Sequence, residues 1–288
     1  MKDHGTTFEL DATVADRAPG RTRCDRFTRI STGADPREQL REVAVEVPVS
    51  IEVNGIGIAV MMATPDALDD FVVGFVRAEG LIDRAEQVAG IDRHRHPKGW
   101  IIRLRLDNLV SDRVVARART RVTESACGLC GLENLEALAA PLPRISRPMR
   151  VAPSAIRTAL DGIRAWQEIG RSTSATHAAA LCDPSGEIVL LREDVGRHNA
   201  LDKAIGAGMR TGLLFPELFA LVTSRLSFEL VEKAARADLG ALVAMSAPTS
   251  LALDRAAEAG LPVIASARAD GALASDAYAR EASSSYRK

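Results

Sequence analysis

The side chains best suited to covalent chemistry in this sequence are the two cysteines of Cys127-Gly128-Leu129-Cys130. A thiolate is both a nucleophile and a metal ligand, and its surroundings decide which role it takes. Gly128 and Gly131 interleave with the pair, so the backbone there is permissive and reads as a mobile loop. The start of a following helix would favour the thiolate, whereas Glu124 and Glu133 disfavour it. Three chemistries compete. Structural zinc needs further ligands, and the candidates, His177 and His198, are distant in sequence, with no second C-x-x-C to help. A thioredoxin-like redox pair opens the helix of a βαβ unit, whereas this pair falls between two differently patterned halves of the chain. A single nucleophilic thiol that carries a sulfur or acyl group, assisted by the second cysteine, is the favoured reading, with no intrinsic metal. The other cysteines, Cys24 and Cys182, bring the total to four, too few for a disulfide scaffold.

A second chemistry lies in three short segments, Thr223-Ser224-Arg225, Ser246-Ala247-Pro248-Thr249-Ser250 and Ser266-Ala267-Arg268. Glu193-Asp194-Val195-Gly196-Arg197-His198-Asn199 is a fourth. Hydroxyls in one such segment would simply cap a helix. Arg197, Arg225 and Arg268 added to them point to an anion site, because guanidinium forks match phosphate oxygens. No glycine-rich Walker or dinucleotide fingerprint is present, so ordinary ATP or NAD binding is unsupported. Asp194 and His198 also admit an acid/base reading, but an ion-paired turn that fixes a helix start is preferred.

The elements that must position these groups fall into two sets. Val47, Val49, Ile51 and Val53 alternate up to Asn54-Gly55, and Ile56, Ile58 and Val60 continue beyond it. This predicts a hairpin with a type I′ turn, pairing 53 with 56, 51 with 58 and 49 with 60. A helix follows, with Thr64 as N-cap, Pro65 at its first position, Leu68, Phe71, Val72 and Phe75 inward, and Gly80 at its end. Strands at 100–106 and 113–122 complete a small α+β roll over residues 45–145, ending in the cysteine loop. Arg117, Arg119 and Arg121 alternate in the second of these strands and read as a solvated face, the alternative being a path that guides an anionic cofactor or an acidic partner towards the thiol. A short helix over 133–140 precedes Pro141, Pro143 and Pro148, which mark the boundary. Residues 150–275 form the second unit, with a helix over 154–168 and a hairpin of 178–182 with 187–191. Strands at 219–222, 241–245 and 263–265 then alternate with helices at 228–237 and 251–259, stopped by Gly240 and Gly260. Continuous apolar strands between ten-residue helices predict a parallel sheet buried on both faces, with the four loops at its carboxyl edge. Residues 1–44 read as an extension, mostly mobile with a strand near 27–30, and 276–288 as a frayed tail.

Lys and Arg total 37 against 38 Asp and Glu, so no global basic excess draws the chain to nucleic acid or to anionic lipid, and any anion site must be local. No segment approaches the ~18 apolar residues of a membrane span. The expectation is a soluble, cytoplasmic protein.

Together these residues resemble the formate dehydrogenase accessory sulfurtransferase family of the FdhD/NarQ type. The resemblance runs from Glu46 to Arg268 and rests on Val53-Asn54-Gly55, the TPDALDDFVVGFVRAEGL stretch from Thr64 to Leu81, and Cys127-Gly128-Leu129-Cys130-Gly131. REDVGRHNALDKAIG from Arg192 to Gly206 is its most specific part, followed by TSRLSFELVEKA from Thr223 and SAPTSL from Ser246. It implies a homodimeric sulfur carrier whose second unit is a three-layer α/β/α domain like that of cytidine deaminases. It further implies a persulfide on Cys127, with sulfur taken from a cysteine desulfurase. That sulfur would pass to the Mo-bis(molybdopterin guanine dinucleotide) cofactor, bound as substrate, before its insertion into formate dehydrogenase. Ser266, Ala267, Arg268, Ala269, Asp270 and Gly271 are the cofactor-binding segment carried over by the resemblance. Here the chain departs from the family pattern, as it does at Thr173-Ser174-Ala175-Thr176. The likeness to deaminases ends at the fold: His177-Ala178-Ala179 has no glutamate, and the cysteine pair precedes the histidine. The alternative is a non-catalytic chaperone that binds the cofactor for a molybdenum or tungsten oxidoreductase.

Overall fold

A computed structural model describes residues 20–107, 113 and 140–275. Strands β1 (Thr22–Ser31) and β2 (Ala34–Ala44) pair antiparallel as a separate hairpin, where a mobile extension with one strand is expected. Phe27, Ile30 and Leu40 remain largely exposed on it, so no apolar stripe announces it in the sequence. Arg21 ties its base down, reaching Glu168 at 2.9 Å and Asp66 at 3.6 Å.

Strands β3 (Val47–Val53) and β4 (Ile56–Ala63) form the expected hairpin, and Asn54 and Gly55 both take the positive φ of a type I′ turn. The pairing beyond the turn differs from expectation. A bulge next to Ile51 sets Ile51 opposite Ala59 and Val49 opposite Met61. One extra residue reverses the alternation, so Ile58 is buried whereas Val60 points outward and is 69% exposed. Helix α1 (Leu68–Ala78) lays Phe71, Val72 and Phe75 on this sheet, against Ile51, Ile102 and Leu104. Its N-cap is Ala67, in left-handed conformation, and not Thr64. Thr64 is instead held from the other half of the chain, its N–H donating to Asp194 Oδ2 at 3.0 Å. The expected stop holds: Gly80 N–H reaches Arg77 O and Leu81 N–H reaches Val76 O, a Schellman turn with Gly80 at φ 71°. Strands β5 (Val88–His96) and β6 (Gly99–Leu106) complete the four-stranded order β4-β3-β6-β5. Arg113 has helical backbone where a strand is expected to begin; the rest of 113–122, with Arg117, Arg119 and Arg121, lies outside the described residues. So do most of the helix expected over 133–140 and the tail from 276.

The second half contains α2 (Pro153–Trp166), α3 (Glu168–Thr173), β7 (His177–Cys182), β8 (Ile188–Asp194) and α4 (Arg197–Arg210). Then come β9 (Phe219–Val222), α5 (Phe228–Ala237), β10 (Ala241–Ala244), α6 (Ser250–Ala259), β11 (Val263–Arg268) and β12 (Gly271–Ala274). The six-stranded order is β12-β11-β10-β9-β7-β8. Strands β9, β10 and β11 are parallel, whereas β7, β8 and β12 pair antiparallel to their neighbours. One face, through Leu181, Ala220 and Leu242, packs on Leu201, Ile205, Leu230, Val231 and Ala256 of α4, α5 and α6. The other, through Ala180, Leu221 and Val243, packs on Ala155, Ile156, Ala159 and Ile163 of α2. Helices therefore cover both faces of the sheet. Helix α5 ends at Asp238, which takes the left-handed position (φ 64°) expected further on at Gly240. Gly240 instead donates to Phe215 O and Leu218 O.

The two sheets are joined by the crossing of α1 and α4. A Cβ on Gly74 would fall on the carbonyl oxygen of Asp202, and one on Gly206 on that of Asp70, so two glycines let the backbones touch. Around the crossing, Asp70 takes Arg192 and Arg210 as partners. Among the described residues no helix is long and apolar enough to cross a membrane.

Candidate functional site

Strands β9, β10 and β11 end on one edge of the large sheet. Antiparallel pairing brings the start of β7 and the end of β8 to that same edge, with His177 opposite Asp194 and Ala179 opposite Val222. The connections are stitched together by backbone. Thr223 N–H donates to Ala178 O (3.1 Å), Leu226 N–H to Ala247 O (3.1 Å), Thr249 N–H to Leu226 O (3.0 Å) and Ser266 N–H to Ser246 O (3.0 Å). Helices α4, α5 and α6 all begin here, so their free N–H groups and positive dipole ends share one surface.

The side chains on this edge divide into structural and available groups. Thr223 Oγ1 accepts from Ala178 N–H at 3.0 Å, Ser224 Oγ donates to Arg225 O at 2.9 Å, and Thr249 caps α6 by accepting from Ala252 N–H at 3.3 Å. Ser246, Ser250 and Ser266 border the same edge, with Ser266 in left-handed conformation at φ 51°. Arg225 is exposed. Arg197 Nε is buried and meets no acceptor among the described residues, a donor waiting for a partner. Both guanidinium charges reach His177, which is held below its usual range first by burial and then by Arg197 and Arg225, with Asp194 opposing. Sequence reasoning offers His177 only as a distant zinc ligand; a histidine at the first position of a strand carries no signal for this place.

His198 does not pair with Asp194. Its Nε2 lies 3.2 Å from both Ser227 Oγ and Glu229 Oε2. Burial holds the imidazole below its usual range, against the attraction of Glu229. Asp194 is fully buried, accepting from Gly196 N–H (2.8 Å), Asn199 Nδ2 (3.0 Å) and Thr64 N–H (3.0 Å), with Lys203 Nζ at 2.6 Å. Glu193 accepts from Ile169 N–H, Gly170 N–H and Thr176 Oγ1. The expected ion-paired turn is therefore formed only in part: Asp194 fixes the start of α4 through Gly196 and Asn199 and pairs with Lys203, whereas Glu193 holds the start of α3, His198 turns to Glu229, and Arg197 has no ion pair among the described residues.

The segment from Ser266 to Gly271 is divided. Ser266 stands beside Ser246, and Ala267 is buried in the core under α2. Arg268, Ala269, Asp270 and Gly271 make the turn into β12 and line a separate cavity of about 240 Å³ with Pro153, Ile156 and Arg157. Arg157 Nη1 fastens this turn, donating to Ala269 O at 2.8 Å. Cys127 and Cys130 lie outside the described residues.

Of the remaining cysteines, Cys24 is exposed and Cys182 is buried at the end of β7. Burial, with Asp183 and Glu187 adding to it, pushes the Cys182 thiol up to about 12. Since only the thiolate reacts, iodoacetamide at pH 8 is expected to leave Cys182 unmodified in the folded protein and to modify it in urea. Peptide mapping checks this, and rapid native labelling would contradict the burial.

A sequence model of the FdhD/NarQ family matches residues 44–280. The sulfur carrier protein FdhD of Xanthomonas axonopodis pv. citri is 42% identical over 226 residues, covering 78% of this chain and 80% of that protein. The protein of the same description from Variovorax paradoxus is 41% identical over 228 residues, covering 79% and 82%. Among solved structures, that of a formate dehydrogenase accessory protein from Desulfotalea psychrophila superposes with a TM-score of 0.66 at 24% identity, over 88% of this chain and 96% of its own; the likeness shows a common fold.

Proposed function

Because this chain belongs to the FdhD/NarQ family, we propose that it is a sulfur carrier serving formate dehydrogenase. Cys127 receives sulfur from a cysteine desulfurase: its thiolate attacks the outer sulfur of the donor's persulfide, the donor S–S bond breaks, and the donor cysteine leaves as a thiolate. The sulfur then passes to Mo-bis(molybdopterin guanine dinucleotide), bound as substrate, before that cofactor enters formate dehydrogenase. In this step the Cys130 thiolate attacks Cys127 Sγ, the persulfide S–S bond breaks, the outer sulfur leaves as sulfide, and a Cys127–Cys130 disulfide remains to be reduced by a cellular dithiol. Cys130 assists release or shields the persulfide between transfers. The carrier works as a homodimer in the cytoplasm, and the helix-covered large sheet serves as its deaminase-like, nucleotide-holding half.

The observation that carries the nucleotide part is the edge where Arg197 and Arg225 stand among hydroxyls and three helix starts, with Arg197 Nε lacking an acceptor among the described residues. A diphosphate there would satisfy that donor and meet both guanidinium charges. The test is calorimetric titration with GDP. Arg225→Gln is expected to raise Kd at least about tenfold, roughly 1.4 kcal/mol, as removal of a charge-assisted hydrogen bond should. A Kd unchanged in both Arg225→Gln and Arg197→Gln would exclude this edge as the nucleotide site.

A further inference from the structure

We propose that the cavity between the C-terminal ends of α1 and α5 is a second anion site, for a small ligand bearing phosphate or carboxylate groups. It measures about 510 Å³ and is lined by Arg77, Asp83, Arg144, Arg236 and Asp238 among others. Arg113 stands at its margin, donating to Gly80 O and to Asp83 Oδ2. The acids facing it are already engaged. Asp83 holds Arg113 at 2.9 Å, and Asp238 accepts from Ser146 N–H at 2.7 Å and Ser146 Oγ at 2.6 Å.

Among the described residues the arginines, Arg236 above all, are less fully satisfied. Arg236 approaches a carboxylate among the described residues only at Glu232, 4.0 Å away, and that carboxylate is taken by Arg255 at 2.8 Å. The Nε of Arg236 is buried without an acceptor among the described residues. Arg77 donates to Ile82 O at 3.2 Å and lies 3.7 Å from Asp83. Burial holds its guanidinium below the usual arginine range, and Arg236 and Arg113 add repulsion against the pull of Asp83 and Asp238.

A basic residue in the last turn of a helix ordinarily serves the open carbonyls there. That role is already filled at both helices: Leu81 N–H takes Val76 O and Leu239 N–H takes Ala234 O. The guanidinium groups are therefore left facing the cavity, and a forked oxyanion is the partner that fits them. The cavity also lies at the root of the segment that carries Cys127, since Arg113 precedes that segment and Ala140, in the cavity wall, follows it. Ala140 is fixed there by Arg255 Nη2, which donates to its carbonyl at 2.8 Å.

The test is calorimetric titration of the full chain with inorganic pyrophosphate and, separately, with citrate, which tells a phosphate ligand from a carboxylate one. Wild type is expected to bind at least one of them. Arg236→Gln should weaken that binding at least about tenfold and Arg144→Gln, on the rim, about threefold. Arg147→Gln, a surface control paired with Glu217, should leave it unchanged. If Arg236→Gln does not fold, the Arg144→Gln and Arg147→Gln pair decides the outcome. Failure to bind either anion, binding undiminished in Arg144→Gln, or equal weakening by Arg147→Gln would overturn the proposal. The result is separable from GDP binding, which is read at the opposite end of α5.

Discussion

Replacing Cys127 with Ala is expected to lower maturation of formate dehydrogenase by about 100-fold or more, because the thiolate that carries the sulfur is removed and Cys130 is left without the persulfide it serves. GDP binding should be unchanged, since the strand-edge groups contain no cysteine. Of the two cysteines outside the motif, Cys182 is buried with its thiol pushed up to about 12, and Cys24 sits on the separate β1–β2 hairpin. Formate dehydrogenase activity in cells lacking the native gene and carrying the variant measures this. Full activity with Cys127→Ala would favour the alternative of a non-catalytic chaperone that only holds the cofactor.

The second large effect is on stability. Lys203→Met is expected to cost about 3–5 kcal/mol, the scale for removing one partner of a buried ion pair. Lys203 and Asp194 are both fully buried and 2.6 Å apart, and Lys203 Nζ also donates to Thr64 O at 2.9 Å. The substitution leaves the Asp194 carboxylate without its counter-charge, where Thr64 from the small-sheet half meets the turn before α4. Urea unfolding monitored by circular dichroism reads the change; a loss under about 1 kcal/mol, the range of a surface pair, would contradict the role assigned to this contact.

Much of this architecture is legible because local chemistry and tertiary structure agree. Asn54-Gly55 specifies a turn needing positive φ, and Gly80 and Gly260 end helices in the left-handed conformation they favour. The runs at Phe219 and Ala241 are buried on both faces, as continuous apolar strands require. What escapes reading is decided at a distance. Ala59-Val60-Met61-Met62 is apolar throughout, so no alternation shows that a bulge turns Val60 and Met62 outward. Thr64 satisfies every local rule for an N-cap, yet its partners Asp194, Val195 and Lys203 lie some 130 residues on. Gly271-Ala272-Leu273-Ala274 is small and exposed, which hides β12 as an edge strand. At the candidate site, Arg197 and Arg225 are legible as cations following strands. Asp194, which admits an acid/base reading with His198 in sequence, is consumed with its neighbour Glu193 in holding backbone. The segment after Ser266 divides because Arg157, invisible in a local reading, draws the turn at Ala269 towards α2.

The most direct test is mass spectrometry of the protein after incubation with a cysteine desulfurase and cysteine, under non-reducing conditions. A mass increase of one sulfur atom on the peptide holding Cys127, lost on reduction and absent from the peptides of Cys24 and Cys182, is the predicted result. An unmodified Cys127, with the added sulfur on Cys182 or nowhere, would contradict the assignment of this chain as a persulfide carrier.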